Sequence, residues 1–179
     1  GPVVWTVSAK SVMAQGMGGR CTTASAYGSI NASRPSNVTH CGGHRPHYWA
    51  RQQHHDEWPV GYTAVASTQG TRVQAHATRF TECFGQSSSY QRATLLEVLA
   101  TRSGGQDEVA RLCAAAMLNA AKGLTPQHVL GATVIRDVWQ SYSRRGYYEP
   151  TAGIRWYADA SEPAGTGGIV EWLLSTMPR

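Results

Sequence analysis

The sequence has few charged residues and no long apolar run. Only 15% of its 179 residues are Asp, Glu, Lys or Arg, whereas soluble domains usually carry about a quarter, so uncharged polar groups must cover much of the surface. No apolar stretch approaches the roughly 20 residues that a membrane-spanning helix needs, which predicts no membrane span. The net charge is +5, but the basic residues are scattered, and this argues against a nucleic-acid partner.

The sequence motifs of common enzyme classes are also missing. There is no G-x-S-x-G elbow, no Walker phosphate loop and no H-E-x-x-H metal motif. The glycine-rich stretch at 16–19 does not link a strand to a helix, so it is not a dinucleotide site. Adjacent carboxylates occur only at Asp56-Glu57 and Asp107-Glu108, and neither is a defined glycosidase pair. We therefore predict that the protein is not an enzyme.

The cysteines lack the spacing of a metal or haem site. Cys21, Cys41, Cys83 and Cys113 form no C-x-x-C pair and no C-x-x-C-H motif. Their even number, wide spacing and loop-rich surroundings favour two disulfides and an oxidising compartment, with four buried free thiols as the alternative. We expect Cys21–Cys41 and Cys83–Cys113, one of three pairings that four cysteines allow. The protein is thus predicted to be secreted, extracellular or at the cell surface, with its export signal removed.

The C-terminal half, from residue 87 onward, carries regular apolar periodicity that predicts helices. The predicted helices lie at about 90–101, 107–122, 125–144 and 166–177. In the second of these, Val109, Leu112 and Ala116 recur at helical spacing and would share one buried face. Short helices separated by glycine turns predict a small bundle.

The N-terminal half, residues 1 to about 86, has few aliphatic side chains after residue 12. Its β-prone run is Val3, Val4, Trp5, Thr6 and Val7. Residues 14–47 are mostly Gly, Ser, Thr, Asn and Pro, which alone cannot offset the entropy of ordering, so a disulfide and packing on the bundle or on another copy must order them. We predict a mainly α fold. A disulfide-stapled, loop-rich arm with a short β-strand (1–43) precedes an aromatic and histidine loop and a small helical bundle (44–179).

Five of the seven histidines lie between residues 40 and 59. Neutral imidazole is the commonest transition-metal ligand, so a zinc or copper site is one interpretation of this segment; otherwise we expect no cofactor. The ligands of that site would be His44, His47, His54 and His55. Their spacing matches no established zinc pattern. In the alternative interpretation, His44 and His47 bind loop backbone while Trp49 and Trp58 anchor the loop to the bundle.

Short motifs follow one another through residues 44–145. They are Tyr48-Trp49, Trp58-Pro59, Phe84-Gly85, Thr94-Leu95-Leu96, Gly104-Gly105 and Leu118-Asn119-Ala120. In this order they resemble an uncharacterised class of secreted bacterial domains. That class usually has Lys-Asn-His after the aromatic pair, where this chain has Ala50-Arg51-Gln52, so any role of that Lys or His does not carry over. The resemblance implies an extracellular helical domain and no known reaction.

Three functions remain open at this point. In the first, the protein is a structural subunit of a filament or surface layer, and its partners are copies of itself. The copies are joined when the strand at residues 3–7 adds to a sheet edge of a neighbour. The alternative for that strand is to fold back onto its own domain. In the second, exposed aromatic rings bind carbohydrate or another surface. Those rings would be Tyr147, Tyr148, Trp156 and Tyr157. In the third, the histidines bind metal.

Overall fold

The computed structural model describes residues 19–29, 39–86, 89–102, 104–165 and 167–179. The α-helices of this part are α1 (Ala24–Gly28), α2 (Pro46–Ala50), α3 (Phe80–Phe84), α4 (Leu95–Leu99), α5 (Gly105–Ala121), α6 (Gln127–Leu130), α7 (Ala132–Arg145) and α8 (Ile169–Ser175), with a 3-10 helix at Gln52–Glu57. The strands are β1 (Gly19–Cys21), β2 (Thr39–Cys41), β3 (Ser67–Gln69), β4 (Arg72–Ala75), β5 (Tyr148–Thr151), β6 (Ile154–Trp156) and β7 (Ser161–Glu162). They form three small sheets, ordered β1–β2, β3–β4 and β5–β6–β7.

Helices and sheets are mixed throughout, and the expectation of a mainly α fold is wrong. Helices account for 46% of the described residues and strands for 16%. The strands that the sequence did not reveal are two to four residues long, too short for apolar alternation to be read. Their positions follow instead from tight turns, in which Gly70 (φ +63) joins β3 to β4 and Gly153 (φ +83) joins β5 to β6.

Helix α5 is the centre of the core. It has 17 residues, and the unbroken run from Leu112 to Asn119 is buried, as is typical of a helix that is enclosed on all sides. Helices α2, α4, α7 and α8 pack around it. The helix predicted at 107–122 is therefore confirmed as α5. None of the helices in the described part of the chain has the length and apolar character to cross a membrane.

Two other helices have bounds that differ from the predicted ones because of local interactions at their ends. Helix α4 begins late because Thr94 and Glu97 form a capping box, in which each side chain accepts a backbone N–H of the other residue. The helix predicted at 125–144 is divided at Gly131, whose backbone is extended (φ −87, ψ 173). A Cβ at Gly131 would lie 2.8 Å from the carbonyl oxygen of Gln127, so only glycine allows this close approach.

A disulfide crosslinks the described part of the N-terminal arm, and long-range hydrogen bonds join the arm to the core. The predicted Cys21–Cys41 disulfide is confirmed, with both residues buried and with β1 and β2 paired antiparallel around it. Trp172 of α8 donates its indole N–H to the carbonyl oxygen of Thr22 at 3.0 Å. The arm thus gains order from a crosslink and from distant segments. The predicted strand at residues 3–7 lies outside the described residues.

The second predicted disulfide, Cys83–Cys113, is wrong. Both cysteines are free thiols, 5% and 0% exposed, on α3 and α5. Each thiol packs as a small apolar group within the core. Burial raises the pKa of the Cys83 thiol to about 11 and raises that of Cys113 still further. Because the thiolate is the reactive form, neither cysteine is an activated nucleophile.

Candidate functional site

The buried amide of Asn119 connects the histidine segment to the central helix. Asn119 is fully buried on α5. Its Oδ1 accepts the backbone N–H of His44 at 2.9 Å and the indole N–H of Trp49 at 3.0 Å, and its Nδ2 donates to the carbonyl oxygen of His44 at 2.9 Å. A lone Asn in an alanine-rich buried helix signals such a network, because buried polar groups need partners. Asn119 belongs to the Leu118-Asn119-Ala120 motif, but this role is not among those predicted from the sequence.

The two tryptophans of the segment extend the same network. Trp49 and Trp58 are 1% and 7% exposed, and Trp58 donates its indole N–H to the carbonyl oxygen of Trp49 at 3.0 Å. Lys122, just after α5, donates to the backbone carbonyl of Glu57 at 2.7 Å. The two tryptophans therefore anchor the loop to the core around α5, as the alternative interpretation of this segment expected.

Three rings stack at the surface of this segment. The Tyr48 ring centroid lies 3.6 Å from that of His44 and 3.7 Å from that of His54, with interplanar angles of 6° and 15°. The carboxylate of Glu57 joins two of the rings, since its Oε1 accepts the Tyr48 hydroxyl at 2.5 Å and its Oε2 lies 2.5 Å from His54 Nδ1. Because two rings cannot occupy one face at these distances, the tyrosine separates the two imidazoles.

The four histidines proposed as metal ligands do not converge. Tyr48 lies between His44 and His54, His47 is exposed, and His55 Nε2 lies 3.1 Å from the carbonyl oxygen of Ala50. In the parts of the chain that the structure describes, no group of three or more His, Cys, Asp or Glu is placed to hold a metal ion. Among the residues with a described position there is thus no ligand set for zinc or copper. The imidazole that contacts loop backbone belongs to His55, rather than to His44 or His47 as the alternative interpretation expected.

Hydrogen bonding and burial set the charge states of the stack. Hydrogen bonds from Tyr48 and His54 lower the pKa of the Glu57 carboxyl below its ordinary 4.5, and the bond to Glu57 raises the pKa of the Tyr48 hydroxyl above 10.0. Burial, followed by the positive charge of Arg179, lowers the pKa of His44 below 6.5. Glu57 is therefore held as an acceptor and Tyr48 as a donor, which makes each a poor acid–base catalyst at neutral pH.

Acidification is expected to destabilise the protein through His44. The pKa of His44 in the folded protein is lowered from 6.5, so the unfolded chain takes up the proton first as the pH falls. The contribution of neutral His44 to the free energy of unfolding is therefore fully present above pH 6.5 and is lost as the pH falls towards the folded pKa. The lowered pKa of Glu57 acts in the same direction below 4.5. Urea unfolding of the wild type and of His44→Gln should show a smaller loss of unfolding free energy in the variant between about pH 7.5 and about pH 5.

The control for this measurement is His47→Gln, three residues further along the chain and exposed. This variant should keep the pH dependence of the wild type. A His44→Gln protein that loses as much stability on acidification as the wild type would contradict the assignment.

Strands β3 and β4 form a hairpin that projects into solvent. All of β3 is exposed, as is β4 except for its last residue. Gln69 pairs with Arg72 across the two-residue turn. No other described strand pairs with either outer edge, and the nearby Val65 and Val73 are 54% and 44% exposed. An edge of this kind is a template for a further strand. The sequence signal for this hairpin is a glycine between two short Thr- and Val-containing runs, and the hairpin is not among the elements predicted from the sequence.

The predicted aromatic platform is divided by the sheet β5–β6–β7. Trp156 is fully buried, with its ring 5.8 Å from that of Trp172, and Tyr148 packs half-buried on the same side. Tyr147 and Tyr157 are also half-buried, with their ring centroids 6.0 Å apart. The platform as predicted is therefore not formed, because strand alternation turns Trp156 into the core.

No family model, curated protein or solved structure matches this chain. The resemblance to secreted bacterial domains thus stays a prediction. The residues that carry it meet in the fold: Trp49, Trp58 and Asn119 share one buried network, and Thr94 caps α4. These positions hold the core together and present no reactive group. The surface feature best suited to a function is the exposed β3–β4 hairpin.

Proposed function

We propose that this chain is a secreted, non-enzymatic structural subunit of an extracellular filament or surface layer. In this proposal, residues 3–7 of one copy pair with the β3–β4 hairpin of the next copy. The observation that carries the proposal is an exposed hairpin whose outer edges no described strand covers. A strand added to such an edge gains main-chain hydrogen bonds, and head-to-tail addition that does not close into a ring produces a filament.

The composition of the two segments supports their pairing. Residues 3–7 are β-branched or aromatic and uncharged, as strands favour, and Arg72 is the one charged residue of the hairpin at 67–75. Exposed Val73 offers an apolar contact to an incoming side chain. The linker at 8–18 spans at most about 40 Å when extended, against a radius of gyration of about 15 Å for a domain of this size. The strand can therefore reach a neighbouring copy.

Other observations support an extracellular location and a non-enzymatic role. The buried Cys21–Cys41 disulfide is typical of proteins in oxidising compartments. The two free thiols are buried with raised pKa values, and the Glu57 carboxylate is engaged by Tyr48 and His54. These two thiols and this carboxylate are therefore poorly suited to act as a nucleophile or a free base.

Removal of residues 1–14 tests the proposal directly. Sedimentation velocity of the full chain should show species larger than the monomer that increase with concentration, because each copy carries both a strand and an edge. The truncated chain should sediment as a monomer at every concentration. If both chains remain monomeric, the strand does not join copies and the proposal fails.

A second measurement places the acceptor edge. A synthetic peptide of residues 1–10 should bind the truncated chain and change the fluorescence of Trp5. Val73→Lys on β4 should abolish this binding, because it puts a charge on the exposed hairpin face. The control is Val60→Lys, which introduces the same charge at a fully exposed site outside the hairpin and should leave binding unchanged. Equal binding by both variants would show that the strand uses another surface.

A further inference from the structure

The outer face of the sheet β5–β6–β7 forms a polar groove. Strand alternation sends Trp156 into the core and its neighbours Arg155 and Tyr157 to the opposite face. The groove on this face encloses about 370 Å³, within the usual size of small-ligand sites. Its lining residues are Glu149, Gly153, Arg155, Glu162 and Pro163.

Tyrosine side chains contact two charged groups that line this groove, Arg155 and Glu162, and one group beside it, Arg145. The guanidinium carbon of Arg155 lies 4.5 Å from the ring centroid of Tyr147, and that of Arg145 lies 4.9 Å from the same ring. Arg155 and Glu162 are also register partners across β6 and β7, and Tyr157 donates its hydroxyl to Glu162 Oε1 at 3.0 Å. Stacked guanidinium groups and strand-borne side chains lose little freedom when a ligand binds.

The charges on this face balance. Glu149, Arg155 and Glu162 line the groove, and Arg155 and Glu162 are register partners. Arg145 is not a lining residue but lies 4.0 Å from Glu149, so with Arg145 two positive and two negative groups are present. A balanced face gives no long-range attraction to a strongly anionic or cationic ligand. What it offers is a set of fixed acceptors and donors side by side, together with the apolar surface of Pro163 at the edge of the groove.

We propose that this groove binds a neutral polysaccharide. Adjacent sugar hydroxyls donate to the carboxylates of Glu149 and Glu162 and accept from the guanidinium of Arg155, and hydrogen bonds to charged partners are the stronger kind. The site is independent of the hairpin proposed to join copies and gives the protein an adhesive role. It differs from the aromatic platform expected from the sequence, because the tyrosines here position charged groups.

The test is retention of the full chain on insoluble cellulose, chitin, xylan and mannan, followed by titration with soluble oligosaccharides of the polymer that retains it. We expect binding to at least one of the four, with little change between low and high salt, because neutral ligands are not screened. Arg155→Met keeps the stem of the side chain and should weaken binding about tenfold, and Glu162→Gln should weaken it several-fold. The truncated chain lacking residues 1–14 should bind equally well in the titration with soluble oligosaccharide, which separates this proposal from the one on assembly.

The matched controls are Arg92→Met and Glu82→Gln, which remove the same groups at exposed sites on other parts of the surface. Both should bind like the wild type. No retention on any of the four polymers, or retention that Arg155→Met leaves unchanged, would overturn the proposal. The proposal would also be overturned, in favour of a basic peptide ligand, if immobilised poly-lysine retained the protein better than every polysaccharide and salt abolished that retention.

Discussion

Replacing Asn119 with alanine is expected to lower the free energy of unfolding by about 4 kcal/mol. The amide is fully buried. It accepts hydrogen bonds from the backbone N–H of His44 and the indole N–H of Trp49, and it donates one to the backbone carbonyl oxygen of His44. Alanine removes all of them and leaves three polar groups without partners, each at a cost of about 1–3 kcal/mol when water cannot replace the bond. Trp49 would also lose the contact that fixes its ring against α5.

Urea unfolding measures this effect, with Gln74→Ala as the control. Gln74 also makes a side-chain amide hydrogen bond, to Gln69 at 2.6 Å, but on the exposed hairpin, so its loss should change stability by less than about 0.5 kcal/mol. Asn119→Ala should also make the Trp49 environment more mobile, which near-ultraviolet circular dichroism reports. A stability loss of under about 1 kcal/mol in Asn119→Ala would show that the buried network contributes little.

The adjacent glycines at 42 and 43 should respond very differently to alanine. A Cβ on Gly43 would lie 2.6 Å from the carbonyl oxygen of Thr176 and 2.7 Å from Nδ2 of Asn119. Neither neighbour can move freely, because one is backbone and the other is held in the buried network. A Cβ on Gly42 would meet only the end of the flexible Arg179 side chain, at 3.4 Å. We expect Gly43→Ala to cost about 3 kcal/mol through overpacking and broken hydrogen bonds, and Gly42→Ala to cost less than about 1 kcal/mol.

Thermal or urea unfolding of both variants measures this difference, and each serves as the control for the other. The backbone at both sites is compatible with alanine, since neither glycine has a positive φ. The comparison therefore isolates the steric contact from backbone strain. Similar stabilities for the two variants would mean that the contact between the segment at 42–45 and the end of the chain is loose.

Helices that depend on long apolar patterns could be predicted from the sequence, whereas features that depend on tertiary contacts could not. Helix α5 follows directly from its run of apolar and alanine residues. The break at Gly131 depends on a close approach to the Gln127 carbonyl oxygen, and the start of α4 depends on which of several Ser and Thr residues forms the cap. The strand at Ile154–Trp156 is too short to show a period and is recognisable only by its partners.

The same distinction applies to the cysteines and histidines: some of their roles could be predicted from the sequence and others depend on tertiary contacts. The Cys21–Cys41 disulfide joins residues that are close in the chain and lie in a polar segment, where a crosslink provides order that packing cannot. Cys113 lies in an apolar helix, where a thiol packs as well as a methyl group, so cysteine counting gave the wrong pairing. The histidines were grouped by composition, but ring stacking on Tyr48 places His44 and His54 on opposite faces of one ring.

The long-range anchors of the arm and of the segment directly after it have a consequence for the order of folding events. Thr22 is held by Trp172, which is 150 residues away, Arg45 donates to the carbonyl oxygen of Met177, 132 residues away, and His44 binds Asn119, 75 residues away. Contacts between such distant positions close large loops and slow the search for the native state. During synthesis or export, the residues that emerge first must therefore wait for the last helix, so the arm should be the latest element to become protected from hydrogen exchange in refolding experiments.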